Sequence, residues 1–164
     1  MATPSELVGK SAPKFDLPSS DGKSVNLAEI KGKKTVVLYF YPRADTPGCT
    51  KEACGFRDAL ADYDKAHVVV LGVSPDEPAA VTKFATKFHL NFPLLADADH
   101  AIADKYGVWQ EKSMYGKKYF GVARTTFVIG TDGKVMHVFE KVKPVGHDQE
   151  VLGWLKENQQ KVSK

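Results

Sequence analysis

Two uninterrupted runs of β-branched and aromatic residues dominate the hydrophobic pattern of the chain. The first is TVVLYFY, from Thr35 to Tyr41, and the second is HVVVLGVS, from His67 to Ser74. Neither run alternates with polar residues, so both are predicted to be strands that are buried on two faces of a sheet. The segment between them, from about Pro47 to Lys65, has a helical pattern. Strand, crossover helix and strand together predict a parallel unit.

Shorter elements follow in the second half of the chain. Pro78 stands where a first-turn proline would, and apolar residues follow it at helical spacing through Phe88. FPLLAD is predicted to be a short strand. ADADHAIADKYG, which ends at Gly107, is predicted to be a short helix with an aspartate cap and a terminal glycine.

The last third of the chain predicts a hairpin and a closing helix. TTFVIG (Thr125 to Gly130), the turn Asp132-Gly133 and KVMHVFE (Lys134 to Glu140) form the hairpin. HDQEVLGWLKENQQK, from His147 to Lys161, is predicted to be the helix. No repeat or linker interrupts this alternation. The pattern therefore predicts one α/β domain over residues 1–164, thioredoxin-like in outline, with a central mixed β-sheet flanked by helices.

Composition narrows the class of protein. The chain has 164 residues, is 43% hydrophobic and contains two cysteines. This length suffices for a proper core, and two cysteines are too few for a disulfide-rich secreted scaffold, so the pair is expected to be reactive. No segment at the amino terminus has the apolar core of a signal peptide, and no run of about 18 apolar residues occurs. We therefore expect a reducing, cytoplasmic location and no membrane partner.

Charge and histidine spacing argue against two further classes. The formal net charge of +3 comes from lysines that are spread along the chain, so nucleic acid is not an expected partner. The five histidines have no metal-ligand spacing with each other or with the cysteines. We expect no metal and no organic cofactor.

Both cysteines lie in TPGCTKEAC, directly after the first buried strand. With Thr46 as N-cap and Pro47 as the first helical residue, Cys49 is the third residue of the helix, among amide N–H groups that lack helical partners. The helix dipole favours an anion there, so we expect Cys49 to be largely thiolate at neutral pH. Cys54 lies beyond the first turn and is expected to remain closer to an ordinary thiol.

The spacing of the two cysteines excludes a static disulfide in an intact helix. Residues five apart in an ideal helix have Cα atoms about 8.7 Å from each other. A disulfide needs a Cα separation below about 7 Å. The two sulfurs can therefore join only after local unwinding, which suits a redox cycle.

These residues also carry a resemblance to a known family. PRADTPGCT, from Pro42 to Thr50, resembles the Pro-x-x-x-Thr-x-x-Cys signature of the peroxiredoxins. TKEACGFRD and the later segment YGVWQEKSMYGKKYFGVARTTFVIG, from Tyr106 to Gly130, are similar to the bacterioferritin-comigratory (PrxQ) subfamily. The resemblance covers most of the chain.

The resemblance implies a thiol-dependent peroxidase and a role for each matching residue. Cys49 would be the peroxidatic nucleophile that becomes a sulfenic acid, Thr46 would orient the peroxide, and Pro42 would shield the site. Arg124 corresponds to the active-site arginine and is preferred to Arg43. The third arginine, Arg57, lies too far along the helix.

The resemblance also implies how the enzyme is reset. Cys54 would attack the sulfenic acid of Cys49 to give an intramolecular Cys49–Cys54 disulfide, and thioredoxin, or glutaredoxin in its place, would reduce it. The substrates would be hydrogen peroxide and organic hydroperoxides. Because the resolving cysteine is in the same chain, a monomer is expected.

Several alternatives stay open at this point. The chain could be a thioredoxin-like thiol–disulfide oxidoreductase, although such proteins normally carry Cys-x-x-Cys, or a non-catalytic binding domain. A cysteine hydrolase would need a histidine base beside Cys49. Cys54 could be a small buried apolar residue, and Glu52 a solvated carboxylate. Three aromatic residues are expected to pack rather than bind ligands: Trp109, Tyr115 and Tyr119.

Overall fold

A central sheet and two smaller hairpins organise the computed structural model, which describes residues 3–158. The strands in chain order are β1 (Asp16–Pro18), β2 (Ser24–Asn26), β3 (Thr35–Phe40), β4 (Val68–Ser74), β5 (Leu94–Ala96), β6 (Trp109–Met114), β7 (Lys117–Val122), β8 (Thr125–Ile129) and β9 (Val135–Phe139). The helices are α1 (Leu27–Ile30), α2 (Pro47–Lys65), α3 (Pro78–Lys87), α4 (Ala101–Lys105) and α5 (His147–Glu157), and a 3-10 turn covers Pro4–Leu7.

The five-stranded sheet is mixed and has the order β5-β4-β3-β8-β9. β3 runs parallel to β4 and antiparallel to β8, and all six of its residues are buried. The predicted parallel unit of β3, α2 and β4 is confirmed, with strand bounds that differ from the prediction by one residue. The predicted hairpin of β8 and β9 is also confirmed.

Each face of the sheet packs against its own set of helices. The face that presents Val37 and Tyr39 is covered by α2, α3 and α5. The opposite face, which presents Leu38 and Phe40, is covered by the amino-terminal segment and α4. The sheet is therefore sandwiched between two apolar layers, which is why β3 and β4 read as unbroken apolar runs.

The short helix α4 begins later than its aspartate cap suggested. His100 occupies the N-cap position with a left-handed backbone, φ 50°. The Asp97 carboxylate nevertheless accepts hydrogen bonds from the amides of Ile102 at 3.2 Å and Ala103 at 2.8 Å. The predicted aspartate cap is thus present, but Asp97 lies three residues before the N-cap position. In α5 the described helix ends at Glu157, and residues 159–161 of the predicted helix lie outside the described range.

The hairpin of β6 and β7 was not predicted by the hydrophobic pattern. It forms a separate two-stranded sheet, and its turn is Tyr115-Gly116, both with positive φ. Trp109 at its base stacks on His100, with ring centroids 3.9 Å apart. The expectation that the aromatic residues pack holds for Trp109. It is wrong for Tyr115, which is 99% exposed, and for Tyr119, also exposed, because the hairpin projects from the body of the protein.

Helices α2 and α5 make a close contact at a glycine. A Cβ built on Gly55 would lie 2.6 Å from Oδ1 of Asp148. The Tyr63 hydroxyl donates a hydrogen bond to the Asp148 carbonyl at 2.8 Å, and the Phe56 ring meets the ring of His147 edge-on. The middle and end of α2 are therefore fixed to the start of α5.

Two classes of feature are not found between residues 3 and 158. No helix in this range combines the length and apolar character needed to cross a bilayer. No group of three or more histidine, cysteine, aspartate or glutamate side chains in it could hold a metal ion.

Candidate active site

Cys49 lies at the start of α2, where the chain leaves the carboxyl end of β3. Thr46 is the N-cap residue with extended backbone, and Pro47 is the first helical residue, as predicted. Cys49 is the third residue of the helix and is 1% exposed. Because ligands of open α/β sheets collect at this edge, the sulfur is placed where a substrate pocket is expected.

The Thr46 side chain does not cap the helix, although its position is that of an N-cap. Its hydroxyl donates to the carbonyl of Arg43 at 3.0 Å instead. The amides of Gly48 and Cys49 therefore receive no side-chain cap from Thr46. Since its own hydrogen is used, the Thr46 oxygen remains able to accept a hydrogen bond from a substrate.

Arg124 is the arginine that reaches the sulfur. Its Nη2 lies 3.3 Å from Sγ of Cys49. Thr125, the next residue, pairs with Phe40 at the end of β3, and this antiparallel register brings Arg124 to the start of α2. Although burial opposes the shift, Glu52 and Cys49 raise the pKa of Arg124, so the guanidinium stays charged.

The other two arginines do not contact Cys49. Arg57 is directed elsewhere, because its Nη1 donates to the Phe88 carbonyl at 2.7 Å and its Nε pairs with Asp58. Arg43 is exposed. Of the three arginines, Arg124 is the one that the structure places against the sulfur of Cys49.

The alternative of a solvated Glu52 carboxylate is excluded. Glu52 is 1% exposed, and its Oε1 lies 2.7 Å from Nη1 of Arg124. The reason is helical spacing: three residues after Cys49, Glu52 lies on the same face, so burial of the sulfur also buries this carboxylate. The three-residue spacing of Cys49 and Glu52 is visible in the sequence and indicates that the two side chains share a helix face. Burial raises the pKa of Glu52 to about 7, against the opposing effect of Arg124.

Tyr39 of β3 and Tyr41, just after the strand, form the inner wall of the site. Tyr39 and Tyr41 are fully buried, and their ring centroids are 5.5 Å apart. Burial raises the pKa of both hydroxyls, and the nearby Cys49 contributes in the same direction. Both tyrosines therefore remain neutral beside the sulfur. The sequence showed them only as part of a buried strand.

The remaining predicted residues lie nearby in the fold. Pro42 is half-buried and lies two residues after the end of β3. Cys54 is half-buried, and both cysteines are free within the continuous helix α2. The structure thus describes the reduced arrangement, in which the two sulfurs occupy different faces of one helix.

Comparison with known proteins identifies the class that this fold and site define. Residues 8–138 match the AhpC/TSA family. The chain belongs to this family, whose fold here is thioredoxin-like and of the peroxiredoxin type, as predicted. Peroxiredoxin Bcp of Escherichia coli strain K12 is 51% identical over 150 residues, which cover 92% of this chain and 96% of that protein. A putative Bcp peroxiredoxin of Coxiella burnetii is 51% identical over 148 residues, 90% of this chain and 97% of that protein.

Solved structures lead to the same subfamily. Peroxiredoxin Q of Xanthomonas campestris superposes with a TM-score of 0.83 and 39% identity, covering 88% of this chain and 91% of that chain. Peroxidoxin BcpB of Mycobacterium tuberculosis gives a TM-score of 0.81 and 37% identity, covering 92% and 97%. The predicted PrxQ resemblance is confirmed. The protein is a peroxiredoxin, a thiol-dependent peroxidase that takes a peroxide substrate and a thiol reductant.

Proposed function

We propose that Cys49 is the peroxidatic residue and that the side chains around it perform the first chemical step. The observation that carries this proposal is the 3.3 Å contact between Nη2 of Arg124 and Sγ of Cys49 at the start of α2. A fixed guanidinium stabilises a thiolate and can donate to the oxygen that leaves. The helix dipole acts in the same direction.

In this step the thiolate attacks one oxygen of the peroxide, and the O–O bond breaks. The sulfur is oxidised to a sulfenic acid, and the other oxygen leaves as water or an alcohol after taking up a proton. The Thr46 oxygen would accept a hydrogen bond from the peroxide and align it, and the amides of Gly48 and Cys49 would stabilise the developing charge. Pro42 would restrict access of water.

Cys54 is proposed to resolve the sulfenic acid. Its thiolate attacks the sulfur of Cys49, an intramolecular disulfide forms, and the hydroxyl group leaves as water. Because both cysteines lie on one helix, the first turns of α2 must unwind for this step.

An external dithiol then reduces the disulfide. We propose thioredoxin as the reductant, with glutaredoxin as the alternative to test, and a cytoplasmic location. The substrates proposed are hydrogen peroxide and organic hydroperoxides. The solved structures include the bacterioferritin comigratory protein of Xanthomonas campestris, studied for its alkyl peroxide reduction activity. This similarity supports organic hydroperoxides as substrates.

The experiment combines peroxide consumption with mass spectrometry on the reduced protein. One equivalent of hydrogen peroxide should remove both free thiols of the parent and give an internal disulfide. Cys49→Ser should lose consumption at least about 1000-fold, since no other group supplies the nucleophile. Cys54→Ser should keep the first oxidation and accumulate sulfenic acid.

Two results would contradict the assignment. One is a Cys49→Ser variant that consumes peroxide at the rate of the parent. The other is a Cys54→Ser variant that loses the first oxidation. Turnover assays with thioredoxin and its reductase, and in parallel with glutaredoxin and glutathione, identify the reductant. An oxidised protein that neither system reduces would refute that part of the proposal.

A further inference from the structure

One hydrogen bond links the active-site loop to the loop that follows the neighbouring strand. Because β3 and β4 are parallel, the segments after them lie at the same edge of the sheet. Asp76, two residues after β4, uses its Oδ2 to accept from the amide of Ala44 at 2.8 Å. Both residues are half-buried, and Ala44 lies two residues before Thr46. The Asp76 carboxylate therefore fixes a backbone amide close to the start of α2 by a charge-assisted bond.

The other end of the same peptide group is bonded to Thr46. The hydroxyl of Thr46 donates to the carbonyl of Arg43 at 3.0 Å. This carbonyl and the amide of Ala44 belong to one planar, trans peptide unit, so the C=O and N–H bonds point in opposite directions. By holding the N–H on one side, Asp76 determines where the carbonyl points on the other side.

The direction of this carbonyl decides what the Thr46 hydroxyl offers to a substrate. A hydroxyl has one hydrogen to donate and two lone pairs that accept. While the hydrogen is bound to the Arg43 carbonyl, only the lone pairs are left for the peroxide, whose O–H group donates to them. If the carbonyl turned away, the hydroxyl would be free to rotate and to donate to the peroxide or to water instead. The proposed role of Thr46 thus depends on the orientation of one peptide group.

The turn that contains this peptide group also holds a strained residue. Asp45, between Ala44 and Thr46, has φ 59°, a left-handed conformation that residues other than glycine seldom adopt. Such a conformation persists where the surroundings impose it. The Asp45 side chain pairs with Lys87 of α3 at 2.9 Å, but both side chains are exposed, so this ion pair contributes little. The half-buried bond between Ala44 and Asp76 is therefore the stronger restraint on the turn.

We propose that Asp76 is a positioning residue of the peroxidase. It orients the peptide group between Arg43 and Ala44 and so keeps the Thr46 oxygen available to accept a hydrogen bond from the peroxide. Asp76 acts through this peptide group and not through contact with the peroxide. The inference rests on the proposed roles of Cys49 as the nucleophile and of Thr46 as the residue that aligns the peroxide.

The test compares two reactions of one sulfur. In a Cys54→Ser background Cys49 is the only thiol, because the chain has two cysteines. Second-order rate constants at neutral pH are measured for oxidation by hydrogen peroxide and for alkylation by iodoacetamide. Both reactions use the same nucleophile, but only the peroxide is aligned by Thr46 in the proposed step. The ratio of the peroxide rate constant to the iodoacetamide rate constant therefore separates alignment of the peroxide from reactivity of the thiol.

Asp76→Ala and Asp76→Leu remove the acceptor, and each should lower this ratio at least about tenfold, because a displaced hydroxyl no longer aligns the peroxide. Two such variants are compared so that a folding defect in one leaves the other informative. Asp76→Asn keeps an acceptor oxygen and should stay within about threefold of the parent. Glu77→Ala is the matched control, because it removes the same charge from the next residue, whose side chain makes no capping hydrogen bond to α3. Its ratio should stay within about twofold of the parent.

A double-mutant cycle shows whether Asp76 acts through Thr46. Thr46→Val keeps the branched shape of the side chain and removes the hydroxyl, so it should by itself lower the ratio at least about tenfold. In the Thr46→Val background Asp76→Ala has no hydroxyl to misplace, and the further change should be below about twofold. A residue that only stabilised the fold would give the same fold-change in both backgrounds.

Three outcomes would overturn the role of Asp76. The first is a parental ratio in both Asp76→Ala and Asp76→Leu, and the second is an equal fall in Glu77→Ala. The third is an effect of Asp76→Ala that has the same size with and without the Thr46 hydroxyl.

The same samples test the two roles on which this inference rests. If peroxide does not oxidise the Cys54→Ser parent, Cys49 is not the nucleophile. If Thr46→Val keeps the parental ratio, Thr46 does not align the peroxide, and the role of Asp76 is refuted with it. A parental ratio in the Asp76 variants beside a lowered ratio in Thr46→Val refutes the role of Asp76 alone.

Discussion

Glu52 sets the orientation of the Arg124 guanidinium. Its Oε1 holds Nη1 at 2.7 Å, and because the guanidinium is planar, this contact directs Nη2 at the sulfur of Cys49. A lysine in place of Arg124 would keep the charge but could not bridge the carboxylate and the sulfur in this way. In the proposed reaction Glu52 would therefore act through Arg124.

Burial of Glu52 should make stability depend on pH. The pKa of Glu52 is raised from 4.5 to about 7, so its protonated form is the one the fold favours. The stabilisation is complete below pH 4.5 and is lost as pH rises through about 7. Glu52→Gln removes this dependence. As the pH rises from 4.5 to about 7, the parent should lose stability and the Glu52→Gln variant should not. The free energy of unfolding of Glu52→Gln should therefore increase relative to that of the parent by up to about 3 kcal/mol.

Urea unfolding of the reduced proteins at several pH values measures this difference. Exposed Glu29→Gln is the control and should track the parent across the range. A constant difference between Glu52→Gln and the parent at every pH would show that the carboxylate does not titrate in this window.

The site also shows which residues local sequence can identify. Cys49 and Thr46 follow from a helix start after a buried strand. Arg124 is 75 positions from Cys49, and its approach depends on the β3–β8 pairing, so the family resemblance carried that choice. The burial of Glu52 follows from its helical spacing to Cys49, although the sequence also leaves a solvated carboxylate open.

At the scale of elements, the continuity of the apolar pattern decided what could be predicted. β3, β4 and α2 were found within a residue because the sheet is covered on both faces. β6, with the sequence WQEKSM, has no buried stripe, because most residues of the hairpin face solvent. Its turn begins with Tyr115 at φ 52°, a residue type that does not mark a left-handed turn.

The contact between α2 and α5 predicts that one substitution has opposite effects on stability in two backgrounds. Gly55→Ala should destabilise the parent by about 1–2 kcal/mol, because the new methyl group meets the Asp148 carboxylate. In an Asp148→Ala background, the nearest remaining Asp148 atom is Cβ, at 3.6 Å, which is ordinary contact. There the same substitution should stabilise the protein by about 0.5–1 kcal/mol through helix propensity.

Denaturant unfolding of the four proteins completes the cycle. Destabilisation by Gly55→Ala of equal size in both backgrounds would show that its cost does not come from a clash with the Asp148 carboxylate. Far-UV circular dichroism of each variant confirms that the helices are retained before the free energies are compared.

At the scale of the whole molecule, the arrangement of the cysteines favours a monomer. Nucleophile and proposed resolving residue are on one helix, so no second subunit is needed to complete a site. Sedimentation of the reduced and oxidised proteins should give the mass of one chain, 18.0 kDa, in both states.

A dimer that persists on dilution would contradict this expectation. Met114 and Phe120, which are 56% and 57% exposed on the hairpin, would then be the first surface to examine. Phe120→Ser should restore the monomer in that case. An oxidised protein that doubles in mass only without reductant would indicate an intermolecular disulfide.

The α2–α5 contact at Gly55 also limits how much of α2 must unwind for the proposed disulfide to form. Cys54 precedes Gly55, whereas Phe56 and Tyr63 after it are packed in the core and against α5. Both sulfurs therefore belong to the part of the helix that precedes this anchor. The proposed disulfide formation can be confined to about two helical turns, so the part of the core that Phe56 and Tyr63 fill stays in place during this step.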